Sequence, residues 1–254
     1  MTKAILIPGS EVFRAEVTAL GRALARYLEY FEILGAEGLP VNLVAGRALA
    51  EQTLAVERSA TERSVTEPWG MVRVAKSLPE LAALVTFCRD CPSCSIPVSG
   101  RGAARAPFVV VGLDPSLYEG AKAELLAGIL EKGLQLSREF YYVTTLLKCS
   151  PMGGAVAGAI EAAARRCLPL LHRELSLIKP KIVLALGEAV GAHLSGLQEP
   201  LGLLRFCSHP LAGLEGAWLR VTFELGQMLE EPAIKKEAWL SDIKIIKKVL
   251  EKIL

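Results

Sequence analysis

From residue 106 onward, short runs of apolar and β-branched residues alternate with longer stretches of helical period. The runs 107–115 (PFVVVGLDP), 140–148 (FYYVTTLLK), 181–187 (KIVLALG) and 216–225 (GAWLRVTFEL) are short and near-continuously apolar. They read as strands covered on both faces. Between and after them, helices are expected over about 118–133, 157–178, 188–195 and 233–254, with Lys179-Pro180 stopping the longest. This alternation predicts an α/β fold, a three-layer αβα sandwich around a mostly parallel four-stranded sheet. Ligands of such sheets bind at the carboxyl ends of the strands. Chemistry is therefore sought at 112–118, 144–151, 187–190 and 223–228.

Upstream the pattern is helical. Leu20, Leu24, Tyr27, Leu28 and Phe31 form one stripe over 10–35, and Gly35 is a natural stop. A second helical stretch covers about 44–58. The polar segment 59–70 (SATERSVTEPWG) reads as a linker. A short helix over about 78–86 then leads to the first cysteines. The chain thus divides near residue 85, into a helical amino-terminal extension over 1–84 and a larger domain over 85–254.

The 254 residues are 52% hydrophobic and 22% charged, enough apolar material for one large core. A net charge of +2 neither demands nor excludes nucleic acid. No apolar run is long and uncharged enough to cross a bilayer. Met1-Thr2-Lys3 leads into only four apolar residues before Pro8-Gly9, which is no secretory leader. A cytoplasmic location is expected.

Four of the six cysteines have metal-cage spacing. Cys88 and Cys91 form a CxxC that puts two thiolates on one turn, and Cys149 and Cys167 follow near element ends. Disulfides and inert buried thiols are the alternatives, and a cytosolic address disfavours the first. The residues alone leave zinc and iron–sulfur both open.

The order of CxxC, a strand ending G-x-x-P, YYVTTLLKCSP, a cysteine shortly before LPLL, and IKPKIVLALGEAV resembles the iron–sulfur uracil-DNA glycosylases of families 4 and 5. The closing EEPAIKKEAWLSDI resembles that superfamily's last helix, and EILGAEGLP resembles an extension found on some bacterial family 4 members. The resemblance covers roughly 85–254. It implies the uracil-DNA glycosylase fold, DNA as partner, and a 4Fe–4S cluster on Cys88, Cys91, Cys149 and Cys167. Cys94 is then the spare, and Cys207 a further thiol.

The motifs that carry the chemistry depart from that family. Its first motif reads G-E-[AG]-P-G or G-L-A-P-A, where this chain has Gly112-Leu113-Asp114-Pro115-Ser116. Asp114 stands where family 1 enzymes keep a water-activating Asp. It can orient a water or stabilise a cationic sugar, or simply make an Asp-Pro turn. The family's base-stacking Phe has no aromatic counterpart in 121–130, which leaves Tyr118 as the nearest substitute. Thr145 replaces the Asn that reads uracil, offering one hydroxyl for a paired amide. In the second motif, H-P-[AS]-x-L-L-R, the His position is taken by Glu224 and the Arg position by Glu230. An ionised Glu224 repels an anionic leaving base, and Glu230 repels phosphate. Ser208-His209-Pro210 is a candidate displaced His-Pro before the fourth strand.

The candidate site is therefore a base pocket of Gly112, Leu113, Pro115, Ser116, Tyr118 and Thr145, with Asp114 and Glu224 as a carboxylate pair. Two functions are expected. One is a diverged base-excision glycosylase with poor selectivity for uracil. The other is an inactive iron–sulfur module that binds nucleic acid or a protein partner in DNA repair. His172 reads as a long-helix residue at the surface or near the cluster, His193 as a helix-end residue that suits the dipole, and the lysines of 235–252 as a solvated helix face.

Overall fold

The structure, a computed structural model, describes residues 72, 74–89, 91, 96–150, 157–211, 214 and 216–253. The expected helices over 10–35 and 44–58, the linker near 59–70 and Cys94 lie outside the described residues.

In chain order the described elements begin with α1 (Leu78–Thr86), β1 (Arg101–Gly102) and β2 (Phe108–Gly112). A 3-10 turn (Pro115–Tyr118), α2 (Gly120–Ala127) and a π-helical turn (Gly128–Gly133) lead to β3 (Tyr141–Thr145). The long α3 (Ala157–Ile178) precedes β4 (Ile182–Leu186), α4 (Glu188–Ser195), α5 (Leu201–Phe206) and β5 (His209–Pro210). The chain continues through β6 (Trp218–Thr222), α6 (Leu225–Glu230), α7 (Pro232–Ala238), a second π turn (Trp239–Ile243) and α8 (Lys244–Ile253).

The sheet has the order β1-β3-β2-β4-β6-β5. Its four central strands are parallel, as expected. The expectation of four strands needs one correction: two-residue antiparallel strands close both edges, β1 on β3 and β5 on β6. Strands this short leave few open backbone groups at the margin.

Every residue of β2 and β4 is buried. Val109, Val111, Val183, Ala185, Leu219 and Val221 face one side and share a core with Leu171 and Leu175 of α3, Val190 of α4 and Leu204 of α5. Alternate residues face the other way. There Arg220 and Thr222 meet Asp242 of the second π turn. The two π turns also touch: a Cβ on Gly133 would lie 3.1 Å from the Trp239 ring, which would have to give way slightly. Helices thus cover both faces, which explains why the strands carry continuous apolar runs.

The chain runs from β2 outward to β3, then returns across β2 to β4. The direction of winding reverses between β2 and β4, and such a switch point opens a crevice beyond the strand ends.

Candidate active-site crevice and cysteine cluster

A crevice lies at that switch point. Gly112, Leu113 and Asp114 line it from the end of β2, Leu186 from β4, and Glu224 with Leu225 from the end of β6. Ser116, Leu117 and Lys122 complete the wall from the 3-10 turn and α2. A Cβ on Gly112 would lie 2.5 Å from the end of the Leu117 side chain, so that buried leucine would have to move.

Asp114 caps the 3-10 turn: its Oδ1 accepts from the Ser116 backbone N–H at 2.7 Å. It therefore makes the Asp-Pro turn and also lines the crevice. Glu224 is the N-cap of α6 in a capping box. Its side chain accepts from the Gln227 backbone N–H, and Gln227 Oε1 accepts from the Glu224 N–H at 3.2 Å. Lys122 Nζ reaches both Ser116 Oγ, at 3.2 Å, and Glu224 Oε1, at 3.3 Å. This cation was not foreseen, since nothing in the spacing of 118–133 sets Lys122 apart. With 30% and 39% of their side chains exposed, Lys122 and Glu224 form a pair worth about 1 kcal/mol or less. As folded, the crevice has room for about one water molecule. A larger guest therefore requires the wall of the crevice to move.

Of the expected pocket residues, Gly112, Leu113 and Ser116 line the crevice with both carboxylates, and buried Pro115 holds the turn behind them. Thr145 pairs with Gly112 across the sheet. It is 1% exposed, and its Oγ1 has no hydrogen-bond partner. Tyr118 turns elsewhere: its hydroxyl donates to the Val143 carbonyl at 2.9 Å, and Arg101 stacks 4.5 Å from its ring centroid. Burial, reinforced by the charge of Glu174, pushes its phenol well above the ordinary range, although Arg101 opposes this. His209 lies in β5, opposite Leu219 and toward the start of β6, so it does not reach the crevice. Its Nε2 is 2.9 Å from the Leu204 carbonyl and 3.9 Å from Cys207 Sγ.

The strap carrying Glu224 is anchored from behind. Thr222 Oγ1 donates to Asp242 Oδ2 at 2.5 Å, and Arg205 Nε donates to the same oxygen at 3.0 Å. The Arg205 guanidinium also lies 3.7 Å from the Phe223 ring centroid.

A second buried assembly joins β3 to α3. Lys148 Nζ and Glu174 Oε2 are 2.7 Å apart, with side chains 3% and 4% exposed. Thr144 donates to Glu174 Oε2 at 2.6 Å and Tyr142 to Oε1 at 2.8 Å, while the Gly100 N–H reaches Oε1 at 3.3 Å. Burial alone would raise the Glu174 carboxyl. The Lys148 charge and the three side-chain hydrogen bonds outweigh it and hold the carboxyl below its ordinary range. Sequence reasoning missed Glu174, although it lies seven residues after Cys167 and so on the same helical stripe.

Cys167 is buried on that stripe. Burial pushes its thiol up, a hydrogen bond from the Lys148 backbone draws it down, and the nearby sulfurs of Cys91 and Cys88 push it up again. Cys88, Cys91 and Cys167 are free thiols that feel one another. Cys149 is disulfide-bonded in this structure and becomes a ligand only when reduced. Among the described residues, no three His, Cys, Asp or Glu side chains converge as a single ion requires. A tetrahedral zinc needs donors about 2.0–2.3 Å from one point. A 4Fe–4S cluster instead spreads its thiolates over separate irons. Free thiols near one another, one of them receiving a backbone hydrogen bond, are donors of the kind an iron–sulfur cluster uses.

Among the described residues, no helix is long and apolar enough to cross a membrane.

Comparison with known proteins agrees with this architecture. The profile of the uracil DNA glycosylase superfamily matches residues 99–237, more than half of the chain. The type-4 uracil-DNA glycosylase of Pyrobaculum aerophilum is 27% identical over 177 residues, covering 63% of this chain and 88% of that protein. That of Sulfurisphaera tokodaii is 30% identical over 122 residues, covering 44% of this chain and 54% of that protein. For Saccharolobus solfataricus the values are 30% over 113 residues, 39% and 51%. The chain thus spans about half the length of the last two relatives. With the sheet order, the switch-point crevice and a profile match that runs from β1 into α7, the chain belongs to the uracil DNA glycosylase superfamily.

Proposed function

We propose that the protein is a diverged DNA base-excision glycosylase with a 4Fe–4S cluster, acting on a base other than uracil or with little preference for it. The observation that carries this reading is the crevice at the switch point of the superfamily's sheet, with two carboxylates and one ammonium on its wall. Asp114 is suited to orient a water or to stabilise a sugar that becomes cationic as its bond to the base breaks. Lys122 supplies positive charge beside the carboxylate that stands in the family's His position. Thr145, which stands in place of the uracil-reading amide, is buried and off the crevice wall, which argues against strict uracil selection.

Cys88, Cys91, reduced Cys149 and Cys167 would hold the cluster. When bound, it ties together three stretches of chain and adds a one-electron centre. The buried Lys148–Glu174 pair, its lysine next to Cys149 in the chain and its glutamate seven residues beyond Cys167, keeps the end of β3 fixed against α3.

A second reading draws on the narrowness of the crevice. On that view the fold is an inactive module that binds nucleic acid or a protein partner. Excision assays decide between them, using single- and double-stranded oligonucleotides that carry uracil, hypoxanthine or oxidised pyrimidines. The glycosylase reading expects base release, reduced about 10²-fold or more in Asp114→Asn. No release from any substrate, together with salt-sensitive DNA affinity, would replace it with the binding module.

A further inference from the structure

Among the described residues Lys122 is the one amine on the crevice wall, and it has beside it the proton acceptor that addition of an amine to a carbonyl requires. Such a site needs a nucleophile within hydrogen-bond reach of a base, and a third group that fixes the base. Here Nζ lies 3.3 Å from Glu224 Oε1. Glu224 is itself fixed by its capping box with Gln227. Ser116 Oγ, 3.2 Å away, holds the amine at the end of β2. Nearly a third of the Lys122 side chain is exposed, so a guest in the crevice can touch it. Lys148, the other lysine near these strand ends, is locked in the buried pair with Glu174 on the opposite face of the sheet.

We propose that Lys122 forms a covalent imine with the aldehyde of an abasic deoxyribose, giving the protein a strand-cleaving lyase activity in addition to base release. Glu224 takes a proton from the Lys122 ammonium, and the neutral amine adds to C1′ of the open-chain sugar. The proton returns from Glu224 to the C1′ hydroxyl, which leaves as water, and an iminium joins Nζ to C1′. Glu224, again a carboxylate, removes a proton from C2′. The electron pair forms the C2′–C3′ double bond, and the C3′–O bond breaks with the 3′ phosphate leaving. Water then hydrolyses the imine and restores the amine. No oxidant or reductant is consumed. The inference rests on the glycosylase reading only for the origin of the aldehyde, because an abasic site is what base release leaves behind.

The test uses the full chain and an oligonucleotide that already contains one abasic site, with sodium cyanoborohydride to reduce any imine. A reductant-dependent protein–DNA adduct is expected, and peptide mass spectrometry should map it to Lys122. Lys122→Arg keeps the charge and the pairing with Glu224 but cannot form the imine. It should lower adduct yield at least about tenfold while the melting curve stays that of the parent. Lys132→Arg, on the exposed π turn, should leave the yield unchanged. Absence of an adduct, an adduct mapped to another amine, or undiminished yield in Lys122→Arg overturns the inference. Base release is scored separately on base-containing oligonucleotides. A protein that traps abasic DNA but releases no base keeps the lyase and loses the glycosylase reading. One that releases base without trapping does the reverse.

Discussion

Replacing Glu174 by Gln leaves the Lys148 ammonium buried beside a neutral amide, with no other carboxylate among its described partners. Breaking a buried ion pair from one side costs about 3–5 kcal/mol, and chemical denaturation of Glu174→Gln should show a loss of that size. The pH dependence follows from the same group. Its folded carboxyl is held below the ordinary range. Its contribution is therefore complete above the unfolded value of about 4.3, and it is lost as the pH falls through the lower folded value. Glu174→Gln should lack this acid-dependent loss, so the two proteins converge in stability as the medium is acidified. A variant as stable as the parent at neutral pH would show that the pair is not structural. Gly100 belongs to the same unit, since a Cβ there would lie 2.6 Å from the Tyr142 hydroxyl oxygen and 2.7 Å from Glu174 Oε1. At this scale the carboxylates at strand ends were legible, because fold class tells where strand ends matter. Lys122 was not, because only the packing of α2 beside β2 brings its amine to Glu224.

The centres of the four long strands were readable because burial on both faces forces continuous apolar runs. Their ends were less so. The fourth run reads as strand to residue 225, whereas β6 stops at Thr222 and Leu225 begins α6. The signal for that break was present, as Glu224 and Gln227 stand three apart like the members of a capping box. The elements α5 and β5, six and two residues long, are too short for any period to declare itself. The closing helix, expected unbroken over 233–254, is interrupted by the π turn at Trp239–Ile243. That turn delivers Asp242 to Thr222, Arg205 and Arg220. Asp242→Ala removes a carboxylate that is 2% exposed and leaves two arginines without it. The expected loss is about 3–5 kcal/mol, read as a lower denaturant midpoint. A neutral result would mean that Glu237 and Phe223 suffice to hold Arg205.

For the molecule as a whole, the strand order was legible in the sequence, whereas the cysteine spacing supplies the proposal of a cluster. The proposed cluster predicts brown protein after anaerobic purification. Cys167→Ser should lose the broad visible absorption and the iron, with a melting midpoint lower by about 5 °C or more. Colourless, iron-free parent protein would remove the cluster from the proposal. Lys181, just before β4, bonds the Ile253 carbonyl at 3.1 Å, which fixes the end of α8 at the pole opposite the strands' carboxyl ends. The order of parts along the chain also has a consequence for biosynthesis. All four proposed sulfur ligands have been made by residue 167, whereas the crevice waits for Glu224, which arrives with the last parallel strand. Domains emerge from the ribosome amino-terminal end first. With the proposed ligands, a nascent polypeptide therefore holds its full sulfur set well before the crevice closes, so loading of the proposed cluster and assembly of the crevice would be separate events.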